Sequence, residues 1–379
     1  MRLMPGVNQI KNKKVLLRVD FNVPLQKLNL IADDFKVKAH RETIDYLLQN
    51  GAKILLVSHF DTLGTFLPVV EEIGEILGQI ISLVPHAEIS SIDNLFQAFP
   101  IFLLDNIRQD QREGKNDEGL ALSLSKGFDF YINDAFSVSH RDHALITAIT
   151  KYLPSFGGFL MKKEVENLSE ALRGDPKGKV LVLGGAKIST KLPVINNFLD
   201  KAEAILIGGA LANDLWQAQG MTVGASLVDD SVTANISQLG NSVSKLVLPT
   251  DILITKDVTG QRETSVSAVR DLESDEIIVD IGPQSAEKFA AIIAKSEMVI
   301  WNGPMGLAEV EQFAYGTETV AKAVAGAEKS IIGGGETIAA AAKLDLLNKF
   351  SYVSTGGGAM LAFLAGEELP GLKALGYYD

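Results

Sequence analysis

Residues 180–202 read VLVLGGAKISTKLPVINNFLDKA, and this stretch decides the fold class. The apolar run Val180–Leu183 does not alternate with polar residues, which is typical of a strand covered by helices on both faces. A glycine pair follows at Gly184 and Gly185, and a helical pattern covers Leu192–Ala202. This order of strand, glycine turn and helix predicts one βαβ step of a parallel sheet.

The same step recurs along both halves of the chain. Helical patterns at Ala39–Gln49, Lys162–Leu172, Ser285–Ala294 and Thr337–Leu344 separate further short apolar runs. Eight evenly spaced repeats cannot be counted, which argues against a barrel. We predict an α/β protein with two doubly wound parallel-sheet lobes joined by a helix, with a cleft between them. The further predicted strands are Val15–Val19, Lys53–Ser58, Ile101–Leu104, Phe130–Ile132, Ala204–Ile207, Ile277–Ile281, Met298–Trp301 and Ser330–Ile332.

A polar stretch marks the boundary between the two series of strands. Residues 161–173 read MKKEVENLSEALR and contain no apolar run long enough for a core strand. We therefore predict a linker helix there, between an N-terminal lobe over residues 1–160 and a C-terminal lobe over residues 174–361.

Composition and charge exclude several classes of protein. The 379 residues include 47 acidic and 35 basic side chains, a formal charge of −12, which is opposite to the basic surface of a nucleic-acid binder. Because the chain has no cysteine, it has no disulfide, thiolate nucleophile or Cys-ligated metal. The start lacks the apolar segment of a signal peptide and no apolar run approaches membrane-spanning length. We expect a cytoplasmic protein that binds neither nucleic acid nor membrane.

The predicted strands of the second half end in glycines. These ends are Gly184-Gly185-Ala186-Lys187, Gly208-Gly209, Gly333-Gly334-Gly335-Glu336-Thr337 and Ser354-Thr355-Gly356-Gly357-Gly358. Glycine at the carboxyl end of a strand lets backbone N–H groups approach phosphate, so the set indicates a nucleotide pocket. The alternative is that the glycines only permit tight turns. Neither the P-loop nor the G-x-G-x-x-G pattern is present, so NTPase and dehydrogenase readings lack their fingerprint.

The predicted strands of the first half end instead in polar side chains. Arg18, Asp20 and Asn22 close one strand, His59 follows another, and the stretch 133–143 (NDAFSVSHRDH) follows a third. Arginine offers a planar fork that matches carboxylate or phosphate, so these ends suit a small anionic substrate. A single histidine after a strand is more often a hydrogen-bonded loop residue. A metal site at His140 and His143 is rejected, because the spacing supplies no third ligand.

Taken together, several strings in order along the chain resemble the phosphoglycerate kinase family. They are RVDFNVPL at 18–25, SH at 58–59, NDAFSVSHRDH at 133–143, GGFLMKKE at 157–164, LGGAKISTKL at 183–192, WNGPMGLAE at 301–309, GGGETIAA at 333–340 and STGGGA at 354–359. The resemblance implies a two-lobed hinge enzyme that moves a phosphoryl group between 1,3-bisphosphoglycerate and ADP, giving 3-phosphoglycerate and MgATP. It also implies that residues 362–379 return to the N-terminal lobe, and a monomer is the default.

The resemblance carries site roles onto particular residues. The N-terminal lobe would hold the phosphoglycerate through Asp20, Asn22, His59 and Arg141. The nucleotide site would include Gly185, Lys187, Gly209, Pro304, Glu309, Gly333, Gly334, Gly335, Glu336 and Thr337, with Glu309 on the ribose. Glu336 stands where the family has the aspartate that serves Mg²⁺, and Gly356 and Gly357 open the helix aimed at the transferred group, so these two glycines count with Lys36 and Lys187 as catalytic.

Some positions depart from the family pattern. The arginine that steadies the transferring phosphoryl group appears as Lys36, and the arginine of the SHLGRP string appears as Thr62. Another substrate arginine falls on Lys177, and lysines of many members are replaced by Trp216 and Ala225. Lysine keeps the charge of arginine but loses its bidentate grip. Two hypotheses stand: an active kinase with altered substrate contacts, or a non-enzymatic relative that binds nucleotide for regulation.

Overall fold

The computed structural model describes residues 1–229 and 245–379, and in it the chain divides into two units. Unit 1 comprises Met1–Glu166 and Glu368–Asp379, and unit 2 comprises Asn167–Glu367. Among the described residues, no helix has the length and apolar character needed to cross a membrane.

Unit 1 is built on a six-stranded sheet in which every neighbouring pair is parallel, in the order β3-β4-β2-β1-β5-β6. The consecutive residues Leu16 and Leu17 of β1 belong to two different hydrophobic cores. Because successive residues of a strand point to opposite faces, both faces of the sheet are covered. The strands are β1 Lys14–Arg18, β2 Lys53–Val57, β3 Ser82–Val84, β4 Ile101–Leu104, β5 Phe130–Asn133 and β6 Ser155–Gly157. The helices are Val7–Ile10, Phe35–Ala39, Arg41–Gln49, Val70–Leu77, Ile92–Ala98, Glu118–Ser125 and Pro370–Ala374.

Unit 2 contains a second six-stranded parallel sheet, in the order β15-β14-β13-β7-β8-β9. Its strands are β7 Lys179–Leu183, β8 Ala204–Ile207, β9 Leu246–Val247, β13 Met298–Asn302, β14 Lys329–Gly333 and β15 Tyr352–Ser354. Its helices are Ile188–Phe198, Ala210–Ala218, Pro283–Ile293, Tyr315–Ala325, Gly335–Lys343 and Gly358–Leu364. Two doubly wound parallel sheets confirm the predicted fold class.

One predicted strand belongs to a different sheet from the one expected. Ile277–Ile281 is β12, which pairs antiparallel with β10 (Ile252–Thr255) in a three-stranded sheet completed by β11 (Ser265–Ser267). The prediction of a parallel strand here was wrong, because an apolar run does not distinguish the two kinds of pairing when both faces are largely buried.

Helix Phe159–Leu172 contains the point at which the chain passes from unit 1 to unit 2, between Glu166 and Asn167. The chain returns to unit 1 at Glu368. There the Gly371 N–H donates to the Ser139 carbonyl at 2.9 Å, and the Arg2 N–H donates to the Leu375 carbonyl at 3.0 Å. Unit 1 therefore combines both ends of the described chain.

Candidate active site

A cavity of about 330 Å³ lies at the carboxyl ends of the unit 2 strands. Gly185 follows β7, Gly209 follows β8 and Pro304 follows β13, while Glu336 lies in the first turn of the helix after β14. In an open α/β sheet this edge is where ligands bind. Residues that line the cavity include Gly185, Ala186, Gly209, Asn213, Ala225, Leu227, Asp280, Pro304, Glu309 and Glu336.

The glycines of this cavity allow two loops to approach each other closely. Gly185 has φ +74° and Gly209 has φ +60°, values that side chains disfavour. A Cβ atom on Gly209 would lie 2.5 Å from the Gly185 nitrogen. These two glycines both close tight turns and line the cavity, so turn formation is not their only role, and nucleotide binding at the cavity stays a prediction.

Lys191 is a cation of this site that the sequence analysis missed. Its side chain is buried, and burial lowers its pKa to about 8, while the nearby Glu336 carboxylate opposes the shift. A Cβ atom on Gly185 would meet Lys191 Nζ at 3.0 Å and Glu336 Oε2 at 3.5 Å. Lys191 lies one helical turn after Lys187, the exposed N-cap of helix Ile188–Phe198. The four-residue spacing between Lys187 and Lys191 was the signal available in the sequence, because residues four apart are neighbours on one face of a helix.

Asp280 is a second ionisable group of the cavity that sequence reasoning did not single out. Burial raises its pKa to about 7, and one carboxyl oxygen accepts from the Gly316 N–H at 2.6 Å. Its place on β12, within an apolar run, gave no signal of a polar function.

Several of the predicted nucleotide and catalytic residues are not among the residues that line the cavity. Thr337 is buried, and its hydroxyl accepts from the Gly303 N–H at 2.7 Å. Gly333 ends β14, and Gly334 and Gly335 begin the helix that carries Glu336. Gly356 and Gly357 directly precede helix Gly358–Leu364, with Gly357 as its N-cap. Trp216, which the sequence analysis matched to a lysine of the family pattern, is buried in helix Ala210–Ala218.

Asp20 is the centre of a polar cluster in unit 1. Its carboxylate accepts from Lys36 Nζ at 3.2 Å, from the Asn22 N–H at 3.0 Å and from the Ser137 hydroxyl. Burial alone would raise the pKa of Asp20, but the positive charge of Lys36 and these hydrogen bonds hold it well below its usual range. Asp20 is therefore an ionised hydrogen-bond acceptor at neutral pH.

His59 lies beside Asp20, with its Nδ1 3.9 Å from Asp20 Oδ1. Burial, followed by the charge of Arg18, holds the pKa of His59 well below its usual range, so the ring is neutral at pH 7. Within the part of the chain that the structure describes, His59 Nδ1 has no hydrogen-bond partner. A buried polar atom without a partner is costly, which favours its use by a bound ligand.

Three arginines gather near the same ends of the unit 1 strands. Burial lowers the pKa of Arg108, and the charges of Arg141 and Arg18 lower it further. Burial also lowers the pKa of His143 to about 4, with the charges of Arg141, Arg18 and Arg108 acting in the same direction. Such mutual repulsion between cations is relieved by a bound anion. Arg108 was missed, although it follows β4 at the edge where Asp20 and His59 follow theirs.

Asp61 contacts two members of this cluster. Its carboxylate pairs with Arg108 and accepts from Asn22 Nδ2 at 2.9 Å, and its N–H donates to Asn22 Oδ1 at 3.1 Å. The next residue, Thr62, is exposed. Lys177 belongs to unit 2, where it is exposed just before the amino end of β7, so it lies at the opposite edge of that sheet from the glycine-rich ends.

A buried histidine holds the loop that carries Asp20. The Asp20 N–H donates to His40 Nε2 at 3.0 Å, and His40 Nδ1 lies 3.0 Å from Asp134 Oδ2. Since Nε2 accepts, Nδ1 carries the proton and donates to Asp134. The other Asp134 oxygen accepts from the N–H groups of Leu160 and Met161, in the first turn of helix Phe159–Leu172.

A cation cluster in one unit and a glycine-lined cavity in the other are the arrangement expected of a phosphotransferase that acts on a small acid and a nucleotide. The family model described as phosphoglycerate kinase matches residues 7–367. A phosphoglycerate kinase from Herpetosiphon aurantiacus is 39% identical over 96% of this chain and 96% of its own. A cytosolic phosphoglycerate kinase from Triticum aestivum is 37% identical, covering 98% and 97%.

Solved structures agree with these relatives. The crystal structure of phosphoglycerate kinase from Pyrococcus horikoshii matches with a TM-score of 0.86 at 31% identity, over 97% of both chains. The structure of the enzyme from Coxiella burnetii matches with a TM-score of 0.81 at 32% identity, also over 97% of both. The chain belongs to the phosphoglycerate kinase family, which confirms the resemblance found in its sequence. Its reaction is the glycolytic transfer of a phosphoryl group between 1,3-bisphosphoglycerate and ADP.

Proposed function

We propose that this chain carries out the phosphoryl transfer of its family with the glycerate substrate in unit 1 and the nucleotide in the unit 2 cavity. The observation that carries the assignment is the gathering of Arg18, Arg108 and Arg141 beside Asp20 and His59. The guanidinium forks of Arg108 and Arg141 would bind the carboxylate or phosphate of such a substrate bidentately, while the buried Arg18, which donates to the Val57 carbonyl, would add positive charge. The ionised Asp20 would accept from a substrate hydroxyl, and the free His59 Nδ1 would complete the contact.

The transfer itself needs charge and position rather than a proton carrier. The bond between phosphorus and the acyl oxygen breaks, and a bond forms between phosphorus and a β-phosphate oxygen of ADP. Because the leaving carboxylate and the attacking phosphate oxygen are both ionised at neutral pH, no general base is required. Preorganised cations stabilise the charge of the transferring group. We assign this task to Lys36, Lys187 and Lys191, with the Gly356 and Gly357 backbone at the start of the following helix.

We further propose that Glu336 serves Mg²⁺ bound to the nucleotide. No group of three or more His, Cys, Asp or Glu side chains suited to a metal occurs over residues 1–229 and 245–379. Mg²⁺ is commonly held by one or two carboxylates together with substrate phosphates, and the exposed Glu336 carboxylate on the cavity wall fits that requirement. The metal supplies neutralisation of phosphate charge.

The cytoplasmic location is proposed on the ground that the wheat relative is named as cytosolic. The monomeric state stays a prediction.

The two substrates are expected to stabilise the protein through separate units. MgADP at 100 times its Kd should add about 2.7 kcal/mol to the free energy of unfolding by mass action. Arg141→Met should abolish the thermal shift caused by 3-phosphoglycerate and leave the shift caused by MgADP intact, because Arg141 lies in unit 1. Differential scanning fluorimetry measures both shifts. A variant that loses the MgADP shift instead would contradict the assignment of substrates to units.

Glu336→Gln is expected to lower turnover with Mg-nucleotide by about tenfold and to change metal-free ADP binding little. The reason is that the negative charge of the Glu336 carboxylate is assigned to Mg²⁺ and not to the nucleotide itself. Glu309→Gln is the matched control, since Glu309 lines the same cavity and is assigned to the ribose. That variant should weaken ADP binding equally with and without Mg²⁺. Steady-state kinetics and calorimetric titration with and without chelator compare the two. Equal weakening by Glu336→Gln would assign the residue a structural task.

The wild type decides between the two hypotheses drawn from the sequence. A coupled assay that follows NADH oxidation should show turnover of 3-phosphoglycerate and ATP. Binding of MgADP without any turnover would favour the non-enzymatic alternative.

A further inference from the structure

Asp61 is a carboxylate placed within a group of cations and amides that suit an anionic ligand. It pairs with the Arg108 guanidinium and accepts from Asn22 Nδ2 at 2.9 Å. The Asp61 N–H also donates to Asn22 Oδ1 at 3.1 Å, so both functional groups of the Asn22 amide are engaged. The pair is accessible, with 33% of the Arg108 side chain and 41% of the Asp61 side chain exposed.

We propose that Asp61 is an affinity-setting residue, an internal competitor whose carboxylate must leave Arg108 and Asn22 before the anionic group of the substrate binds them. This inference rests on the proposed function, because it takes Arg108 and Asn22 as substrate contacts. In the SHLGRP string of the family pattern, which corresponds to residues 58–63, the position of Asp61 is a glycine.

The geometry makes the competition direct. Asp61 occupies Arg108 Nη1 and Asn22 Nδ2, and a substrate anion that binds Arg108 through that edge and Asn22 through its amide needs the same donors. The neighbouring Arg18 does not compete for Asp61, because it is buried and lies 3.9 Å from Glu113 Oε1. Its other guanidinium nitrogen donates to the Val57 carbonyl at 3.1 Å. Asp61 pairs with Arg108, so Arg108 is the arginine whose availability to a substrate anion depends on the position of the Asp61 carboxylate.

Competition of this kind raises the apparent dissociation constant, which equals the intrinsic constant divided by the fraction of molecules in which Arg108 and Asn22 are free of Asp61. An exposed ion pair is weak, so the population of the paired form is modestly favoured. Removing the carboxylate is therefore expected to lower KM for 3-phosphoglycerate by about twofold to sixfold. KM for MgATP should stay unchanged, since the nucleotide cavity belongs to unit 2.

The test compares Asp61→Asn, Asp61→Gly and the wild type with Asp110→Asn. Asparagine keeps an amide that can pair with Asn22 and removes only the charge. Asp110→Asn is the matched control, because Asp110 pairs with Arg112 at 2.7 Å in the same unit, so its loss removes an equal charge without freeing Arg108. The assay measures KM for 3-phosphoglycerate and for MgATP, and a thermal titration with inorganic phosphate measures anion affinity without turnover.

The expected result is a lower KM for 3-phosphoglycerate and tighter phosphate binding in both Asp61 variants, with no change in Asp110→Asn. An unchanged or higher KM in Asp61→Asn would overturn the proposal and show that Asp61 instead holds Arg108 in its binding position. A wild type without turnover would refute the proposed function alone, because the phosphate titration would still decide whether Asp61 competes. A gain shared by Asp110→Asn would also overturn the proposal, since it would reflect net charge.

Discussion

Replacing Lys191 by methionine is expected to lower kcat by about two to three orders of magnitude and to raise the free energy of unfolding at pH 7 by about 3 kcal/mol. The loss of rate follows from removing a preorganised cation beside Gly185 and Glu336. The gain in stability follows from the lowered pKa, because burial makes the charged form of Lys191 costly in the folded state. Methionine fills a similar volume without that charge.

The pH dependence of stability separates this effect from simple repacking. The pKa of Lys191 is about 8 in the folded protein and 10.5 in the reference state. Between these values the unfolded chain binds more protons, so the wild type should gain stability as the pH rises from about 8 to about 10.5. Lys191→Met should lack this gain. Chemical denaturation across that pH range measures the free energy of unfolding. Lys187→Met is the control, because Lys187 is exposed, so its replacement should lower turnover without raising the free energy of unfolding.

Lys36→Ala should lower kcat by about a hundredfold with little change in KM for either substrate. Lys36 occupies the position at which the family pattern has the arginine that steadies the transferring phosphoryl group. The charge of Lys36 should therefore stabilise mainly the transition state. Lys36→Arg should hold or raise kcat, because arginine restores the planar fork. Steady-state kinetics in both directions measure these changes.

Lys38→Ala is the matched control for Lys36. Lys38 lies on the same helix, pairs with Asp34 at 2.6 Å and is more than half exposed. Its loss should leave kcat unchanged. Turnover of Lys36→Ala at the wild-type rate would refute the assignment and transfer the task to Arg141, Lys187 or Lys191. A KM effect without a kcat effect would instead make Lys36 a ground-state contact, through its 3.2 Å pairing with Asp20.

Much of the fold was predictable because buried parallel strands have a distinctive pattern. Every predicted strand is a strand in the structure, with ends within one residue. Among the described residues, the strands β3, β6, β9, β10, β11 and β15 were missed, and all of these except β10 have only two or three residues, too few to show a periodicity. Helix Ile188–Phe198 begins four residues before the predicted start at Leu192, because the glycine turn leads directly into it.

The site was less predictable, because its contacts join residues far apart in the chain. Arg108 and Asp61 are both polar residues in loops after strands, and the sequence does not show that they pair. His40 and Asp134 are separated by 94 positions, yet both ring nitrogens of His40 are used between Asp20 and Asp134. Lys191 directly precedes the helix predicted from Leu192, so the sequence analysis left it outside that helix. Charge and residue type were visible from the sequence, whereas burial and partnership were not.

The return of the segment Glu368–Asp379 to unit 1 has a consequence for biosynthesis. The ribosome makes this segment after all of unit 2, so the bonds from Gly371 to Ser139 and from Arg2 to Leu375 form only once translation has passed unit 2. Unit 2 is one continuous stretch, and domains generally fold as units during synthesis. Unit 1 is therefore begun before unit 2 and completed after it, and a translation product interrupted within unit 2 would leave the Ser139 carbonyl without its bond from Gly371.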